Sequence, residues 1–266
     1  MESLCQNMHA LLAKCTGRWG IVITSKDGRM HFEWNPNMGF PAASMIKVPI
    51  MVSIMMQAAV GKLDLENRVT VGDEQITGGA GILKDLSPGH SFTIEELVTL
   101  MIILSDNTAT NVLLDMISMD QVNETMASLG LCSTILQRKM MDFGAAEQGL
   151  ENYTTAADMA RLFTAIEEGN IGLPERWNAK MVDILRRQQI RDKLPFFLPE
   201  ETVLAHKTGT LPGVEHDGGI LYYPGGSCVV SVFSADLAAN HEGLQLIASM
   251  GKCIYDHMIG EIEING

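Results

Sequence analysis

The sequence has no apolar segment long enough to cross a membrane. Its longest apolar runs, Val48 to Met56 and Leu97 to Leu104, fall well short of the roughly 20 residues that a spanning helix needs, and both include Pro, Ser or Thr. They predict buried helices. The N-terminal residues Met1 to Asn7 also lack the basic start and apolar core of a signal peptide. We therefore expect a cytoplasmic protein, or a periplasmic or secreted one from which a leader was trimmed.

Basic residues are few. The 19 Lys and Arg residues are outnumbered by 32 Asp and Glu residues, which leaves a formal charge of −13. Because nucleic-acid affinity depends mainly on the neutralisation of phosphates by basic side chains, this charge argues against nucleic acid and against an anionic membrane surface as partners. The length of 266 residues fits one domain, divided into two lobes or undivided.

Cysteine and histidine show neither a disulfide pattern nor a metal-binding pattern. The five cysteines are odd in number and lack any C-x-x-C spacing, and the seven histidines include no H-x-x-x-H pair. We expect no metal site, and reduced, packed thiols that agree with a cytoplasmic location. These cysteines are Cys5, Cys15, Cys132, Cys228 and Cys253.

The first part of the chain predicts a helix followed by a β-hairpin. Met8 to Lys14 carries apolar residues at helical spacing. Arg18 to Ser25 predicts a strand, Lys26-Asp27-Gly28 a turn, and Arg29 to Trp34 the return strand.

The middle of the chain, from Pro41 to about Leu185, predicts successive helices, whereas strands return after Leu204. The predicted helices follow Ser44 and cover Thr93–Leu104, which starts with a capping box, Asn107–Ile117, Met119–Leu129 and Thr154–Glu168. The later elements are strands at Gly219–Tyr223 and Cys228–Phe233, and a helix at Glu242–Met258. We therefore predict one domain, 1–266, with an α/β lobe (1–38 plus 184–266) and an inserted all-helical lobe (39–183). Its antiparallel sheet is flanked by the N- and C-terminal helices.

Ser44-Met45-Ile46-Lys47 is an S-x-x-K motif at a helix start. The i, i+3 spacing puts the hydroxyl and the amine on one helical face, and the helix dipole favours a developing oxyanion at Ser44. Lys47 can take the serine proton if burial and a neighbouring cation lower its pKa. Spacing alone is weak evidence, because Ser249-Met250-Gly251-Lys252 repeats the motif within a predicted helix.

Ser105-Asp106-Asn107 lies on a short connection between two predicted helices, where it can present side chains into a cleft. In such a cleft we expect Ser105 to relay a proton to a leaving nitrogen, and Asn107 to hold Lys47 and a substrate amide. The same tripeptide is also an ordinary N-cap and turn sequence.

Lys207-Thr208-Gly209 follows an apolar strand start, Val203 to Ala205, where an edge strand can pair with an extended substrate. Gly209 permits close backbone approach, and Lys207 and Thr208 suit a carboxylate. The Thr210 N–H can complete an oxyanion hole with that of Ser44. The alternative is a charged turn.

The three motifs together are far more specific than any one of them. Each of the two tripeptides is expected by chance roughly 0.05 times in a chain of this length, and their order matches that of S-x-x-K, S-D-N and K-T-G enzymes. The chain thus resembles the class A β-lactamases and related penicillin-recognising serine hydrolases over nearly its whole length. The resemblance implies a two-lobe β-lactamase/transpeptidase-like fold, a site between the lobes, no cofactor, and a β-lactam or peptidoglycan-like acyl donor bound by a monomer.

The sequence departs from this family in the loop after the second motif. The family carries a Glu two residues after an Arg, and that Glu activates the water that releases the acyl group. The matching Arg here is Arg138, and Met140 occupies the Glu position. Asp142, Glu147 or Glu151 can substitute only if the loop brings one of them within reach of the water; otherwise each is a solvated carboxylate.

A second departure follows the third motif, where the family often has an Arg for the substrate carboxylate. His216 falls near that position and is a candidate substrate contact, or a packed histidine at a strand end. His206 has the same two alternatives.

The leading hypothesis is a β-lactam-opening serine acyl hydrolase, with Ser44, Lys47, Ser105, Asn107 and Lys207 as catalytic residues. The rivals are a penicillin-binding protein, D-alanyl peptidase or esterase with slow β-lactam deacylation, and a sensor that stays acylated.

Overall fold

The two ends of the chain meet in one sheet in the computed structural model, which describes residues 2–26, 28 and 30–265. Met1 and the predicted hairpin residues Asp27 and Arg29 lie outside the described residues. In chain order the elements are α1 (Glu2–Leu12), β1 (Arg18–Ser25), β2 (His31–Trp34), β3 (Phe40–Pro41), α2 (Lys47–Ala59), β4 (Arg68–Thr70), β5 (Ser91–Thr93), α3 (Ile94–Ile103), α4 (Asn107–Ile117), α5 (Met119–Ser128), α6 (Phe143–Glu147), β6 (Tyr153–Thr154), α7 (Ala156–Glu168), α8 (Glu175–Arg186), β7 (Leu204–Leu211), β8 (Val214–Tyr223), β9 (Gly226–Ala235) and α9 (Asn240–Asn265).

Five strands form an antiparallel sheet in the order β2-β1-β9-β8-β7. β1 pairs with β9 over its whole length, from Arg18 opposite Ala235 to Ser25 opposite Cys228. This pairing joins the N-terminal hairpin to the C-terminal strands, so that both ends of the chain contribute to one sheet. β7, which carries Lys207, lies at an edge of the sheet.

The two faces of the sheet bury different elements. Ile21 and Ile23 of β1 share a core with Leu4 of α1 and Ile247 of α9, whereas the alternate residue Val22 belongs to the core of the helical part. α1 and α9 pack against each other, and α7 packs against β1, β8 and β9. The sheet is therefore covered on both sides, with the terminal helices on one.

α2 is enclosed by the other helices. Ten of its thirteen residues are buried, including the polar residues Lys47 and Ser53. A helix that is apolar on all sides belongs in the interior of a domain, so the N-terminal end of α2 is held firmly. No helix in the part of the chain that the structure describes has the length and apolarity needed to span a bilayer.

The middle of the chain is not purely helical. β3 pairs with β6 and β4 pairs with β5, and each of these strands has only two or three residues. Strands this short leave no period-2 pattern in a sequence.

The expected lobe boundary at 183/184 falls within α8. The predicted capping box is confirmed, because Thr93 Oγ1 accepts the Glu96 N–H at 3.0 Å and Glu96 Oε2 accepts the Thr93 N–H at 2.6 Å.

β8 begins five residues earlier than predicted, at Val214 instead of Gly219. The added residues include Glu215, His216 and Asp217. Because these residues are polar, the hydropathy pattern does not predict a strand there. All three are buried and have polar partners, so their burial is compensated.

Candidate active site

Ser44 lies on a short 3₁₀ turn, Ala43–Ile46, that runs directly into α2. Ala43 has a φ of 45°, a backbone conformation that costs about 1–3 kcal/mol in a residue other than glycine. Ser44 is half-buried, and Lys47, the first residue of α2, is fully buried. The turn therefore leaves Ser44 partly exposed beside the cavity, while the amine of Lys47 is enclosed one turn further on.

Lys47 is held by the second motif. Its Nζ donates to the Ser105 carbonyl oxygen at 2.6 Å, to Asn107 Oδ1 at 2.8 Å and to Ser105 Oγ at 3.1 Å. Burial lowers the pKa of Lys47 from 10.5 to about 7, against the opposing effect of the Asp106 carboxylate. Burial is thus what lowers the pKa of Lys47, whereas neighbouring cations, Lys47 among them, contribute to the lowered pKa of Lys207. Lys47 is thus partly neutral near pH 7, as a proton acceptor must be.

Ser105 Oγ bridges two lysines. It lies 3.1 Å from Lys47 Nζ and 3.1 Å from Lys207 Nζ, and Ser105 has a φ of 55°. Burial and the neighbouring ammonium groups of Lys47 and Lys193 lower the pKa of Lys207 well below its ordinary value, against the opposing effect of Asp217. The hydroxyl therefore lies between two amines, in a position suited to passing protons.

The S-D-N tripeptide combines both interpretations that its sequence allowed. Asp106 is the N-cap of α4, and its Oδ1 accepts the Ala109 N–H at 2.9 Å. Its other oxygen accepts the N–H groups of Ile82 and Leu83, at 2.7 and 2.8 Å. The cap fixes a neighbouring loop and presents Ser105 and Asn107 on either side.

β7 packs closely against the Ser44 turn. A Cβ added at Gly209 would lie 3.2 Å from the Ala43 Cβ and 3.3 Å from the Met45 Cγ. Only a residue without a side chain fits this approach without displacing its neighbours. Thr208 is buried, and its carbonyl oxygen accepts from Lys207 Nζ at 2.8 Å. The third motif is thereby brought against the first.

A cavity of about 200 Å³ opens beside Ser44. Its lining includes Asn107, Thr210 and Leu211 from the motif regions, and Met140 and Glu151 from the loop after the second motif. The cavity therefore lies between the Ser44 turn, the second motif and the end of the edge strand β7, just after the third motif.

The loop at 138–152 is closed by a two-pronged ion pair. Arg138 Nε and Nη2 donate to Glu151 Oε1 and Oε2, at 3.0 and 2.8 Å. Glu151 Oε1 also accepts the Asn152 N–H at 2.7 Å. Glu151 lines the cavity but its carboxylate is fully engaged. Asn111 fixes Met140, accepting its N–H at 2.9 Å and donating to its carbonyl oxygen at 3.1 Å.

The other two loop carboxylates have positions typical of solvated residues. Asp142 is exposed and caps α6, where its Oδ1 accepts the Ala145 N–H at 3.0 Å. Glu147 is exposed at the end of α6. Neither is among the residues that line the cavity. Within the described residues, the cavity therefore offers no carboxylate that lacks a cationic partner.

His216 occupies the packed position that the sequence left open as the alternative. It is fully buried, with Nε2 2.8 Å from the Pro41 carbonyl oxygen and Nδ1 3.2 Å from the Ser234 backbone nitrogen. Nδ1 also lies 2.9 Å from the Glu215 carbonyl oxygen, and burial lowers the pKa of the ring to about 4. The ring thus has no nitrogen left for a substrate carboxylate. His206 is likewise buried, with Nδ1 2.8 Å from Asp217 Oδ1.

The second S-x-x-K motif, Ser249 to Lys252, is not part of a comparable site. Ser249 Oγ donates to the Gln245 carbonyl oxygen at 2.8 Å, and Lys252 Nζ pairs with Asp256 Oδ2 at 2.8 Å on the exposed side of α9. These are contacts within one helix. Ser249 and Lys252 therefore serve as natural controls for Ser44 and Lys47.

Sequence reasoning missed Lys193 and Glu215, which form a buried ion pair directly behind Thr210. Lys193 has no motif around it, and Glu215 lies in a polar stretch that the hydropathy pattern does not assign to a strand. Asp106 was placed in the motif without a role, although its position before a helix is typical of an N-cap.

Comparison with known proteins gives one consistent family. The model of the "Beta-lactamase enzyme family" matches residues 3–258. The chain is similar to the crystal structure of a beta-lactamase from Sphaerobacter thermophilus, with 32% identity, 95% of each chain covered and a TM-score of 0.86. It is also similar to PBP-A, with 28% identity over 98% of this chain and 97% of that chain and a TM-score of 0.87. A PBP-A mutant has been solved as an acyl-enzyme complex with penicillin G.

Proposed function

The chain belongs to the beta-lactamase enzyme family, and we propose that it is a serine hydrolase in which Ser44 forms an acyl-enzyme with β-lactams. The observation that carries this proposal is the hydrogen-bonded series Lys47, Ser105, Lys207 beside the half-exposed Ser44. Its β-lactamase and penicillin-binding relatives support the same chemistry.

Acylation begins with transfer of the Ser44 proton to neutral Lys47. Ser44 Oγ then attacks the lactam carbonyl carbon, and the resulting oxyanion is stabilised by the N–H groups of Ser44 and Thr210. As the carbon–nitrogen bond breaks, Ser105 gives its proton to the leaving nitrogen and receives one from Lys47. The proton lost by Ser44 thus reaches the leaving group, and Lys47 returns to its neutral form.

The third motif binds the acyl donor in this proposal. Lys207 and Thr208 provide an amine and a hydroxyl that donate to the carboxylate of the acyl donor, and Asn107 contacts the amide of its side chain. Gly209 keeps β7 close to the Ser44 turn, so that the donor lies between the edge strand and the helices. No metal or cofactor takes part.

Release of the acyl group lacks an evident base. Met140 carries no proton acceptor, and Glu151 is bound by Arg138 through both oxygens. This observation favours a second candidate, a penicillin-binding protein, D-alanyl peptidase or esterase that acylates with β-lactams and deacylates slowly. The similarity to PBP-A supports it. A sensor that never deacylates is the extreme of the same behaviour.

One experiment separates these functions. The purified protein is mixed with a chromogenic cephalosporin while turnover and the mass of the intact protein are followed together. We expect a burst of one equivalent, a mass increase that fits one acyl group, and slow turnover afterwards. Rapid multiple turnover would favour the β-lactamase over the penicillin-binding candidate. Absence of both adduct and turnover would refute β-lactam recognition.

The acylation rate constant is expected to rise with pH through an apparent pKa of about 7, the value to which burial lowers the pKa of Lys47. Below that pH Lys47 is protonated and cannot accept the Ser44 proton, so the rate falls about tenfold per pH unit. Above it the rate levels off. Stopped-flow measurements between pH 5 and pH 9, roughly two units on either side, give the profile. Lys252→Met should leave the profile unchanged, and an acylation rate constant that does not change between pH 5 and pH 9 would contradict Lys47 as the base.

A further inference from the structure

A buried ion pair lies behind the strand that carries Lys207. Lys193, in the segment between α8 and β7, and Glu215, on β8, have side chains that are 1% and 2% exposed. Lys193 Nζ lies 3.0 Å from Glu215 Oε2. Because the desolvation of two buried charges largely offsets their attraction, stability alone gives no reason for this pair.

The ion pair closes around the hydroxyl of Thr210. Lys193 Nζ donates to Thr210 Oγ1 at 3.1 Å, and Thr210 Oγ1 donates to Glu215 Oε2 at 2.9 Å. Glu215 Oε1 accepts from Asn240 Nδ2 at 2.7 Å, at the start of α9. The Thr210 hydroxyl is therefore held by Lys193 and by Glu215, to which it donates its proton, and Glu215 is in turn held by Asn240.

Thr210 is the residue at which this network reaches the cavity beside Ser44. It belongs to an edge strand, which has a neighbouring strand on one side only, and it lies one residue before the end of that strand. Its backbone is restrained less by the sheet than that of an inner strand. Threonine is β-branched, so a fixed side chain also restricts the backbone conformation.

We propose that Lys193 and Glu215 are positioning residues for acylation, which hold Thr210 so that its N–H stays aligned with that of Ser44 on the carbonyl oxygen of the acyl donor. This inference rests on the proposed acylation of Ser44. Lys193 itself makes no contact with the donor, because its ammonium is enclosed by Glu215 and Thr210. Its effect is transmitted through the Thr210 hydroxyl.

The kinetic test compares Lys193→Met and Thr210→Val with the unchanged protein. Each variant should lower the first-order acylation rate constant by about 10²-fold, the scale expected for a displacement of about 1 Å in a reacting group. The dissociation constant of the initial complex should change by no more than about threefold. Because both changes break one network, the double variant should be no slower than the slower single variant. Lys180→Met is the matched control, since Lys180 pairs with Glu95 at 2.6 Å outside the motifs.

A second readout does not depend on β-lactams. The order parameter of the Thr210 amide, measured by ¹⁵N NMR relaxation in the free protein, should fall from about 0.85 towards 0.6 in Lys193→Met. An unchanged order parameter would overturn the inference, as would an effect confined to the dissociation constant, since Lys193 would then act on the donor. If the unchanged protein forms no adduct, the proposed function fails while the NMR result still decides the positioning. If Lys193→Met does not fold, Thr210→Val is judged by the same two criteria.

Discussion

Ser44→Ala is expected to form no covalent adduct with a penicillin or cephalosporin, and opening of the β-lactam by this variant should be slower by roughly 10⁴-fold or more. The change removes the attacking oxygen and leaves the hydrogen bonds of Lys47 to Ser105 and Asn107 in place. The fold should therefore be retained while covalent chemistry is lost. Intact-mass spectrometry after incubation with the β-lactam gives the result directly.

The chain supplies a matched control in its second S-x-x-K. Ser249→Ala removes a hydroxyl with the same sequence spacing to a lysine, but this hydroxyl only donates to the Gln245 carbonyl oxygen within α9. We expect the full adduct in this variant. An adduct on Ser44→Ala, or its loss in Ser249→Ala, would show that another residue is the nucleophile.

The two S-x-x-K motifs show what local sequence can and cannot tell. Spacing places both serine–lysine pairs on helical faces equally well. What distinguishes Ser44 and Lys47 is contact with Ser105 and Lys207, which are distant in sequence. This contact was predictable because the three motifs occur in the order found in S-x-x-K, S-D-N and K-T-G enzymes.

The long helices were predictable for a similar reason. α3 and α4 differ by no more than a residue from their predicted bounds, since caps at Thr93 and Asp106 mark their starts. β3 to β6 were missed because two or three residues carry no periodicity. Their pairing depends on the packing of distant segments.

The Lys193–Glu215 pair was beyond prediction from the sequence. Lys193 has no motif around it, and Glu215 lies in a polar stretch that hydropathy does not assign to a strand. Their partnership depends on the register of β7 and β8, which places Thr210 opposite Glu215. A buried polar network of this kind becomes visible only when the strand pairing is known.

The environment of His216 depends on the fold in the same way. Its Nε2 partner, Pro41, is 175 residues away in sequence. The sequence places His216 near the family's Arg position, but register and packing turn its ring into the core. Proximity in sequence to a motif therefore does not establish a contact with the substrate.

Met140→Glu is expected to speed release of the acyl group by about 10²-fold or more, because a positioned general base contributes about 10² to 10⁴-fold. Met140 lines the cavity beside Ser44, and Asn111 binds both its N–H and its carbonyl oxygen, so the new side chain starts from a fixed backbone. The site is 9% exposed, and burial raises the pKa of a carboxyl towards the range that suits a base near neutral pH.

Met140→Gln is the control, since it has the size and polarity of the glutamate without a basic oxygen of comparable strength. The adduct is formed first with excess penicillin, the free drug is removed, and the decay of the adduct mass is followed. The acylation rate constant should change little in either variant, because Ser44, Lys47 and Ser105 are untouched.

Equal decay in Met140→Glu and Met140→Gln would mean that the loop does not bring residue 140 to the water. If the unchanged protein already decays as fast as Met140→Glu, a group other than residue 140 activates that water. Glu151, released from Arg138, would be the first to test.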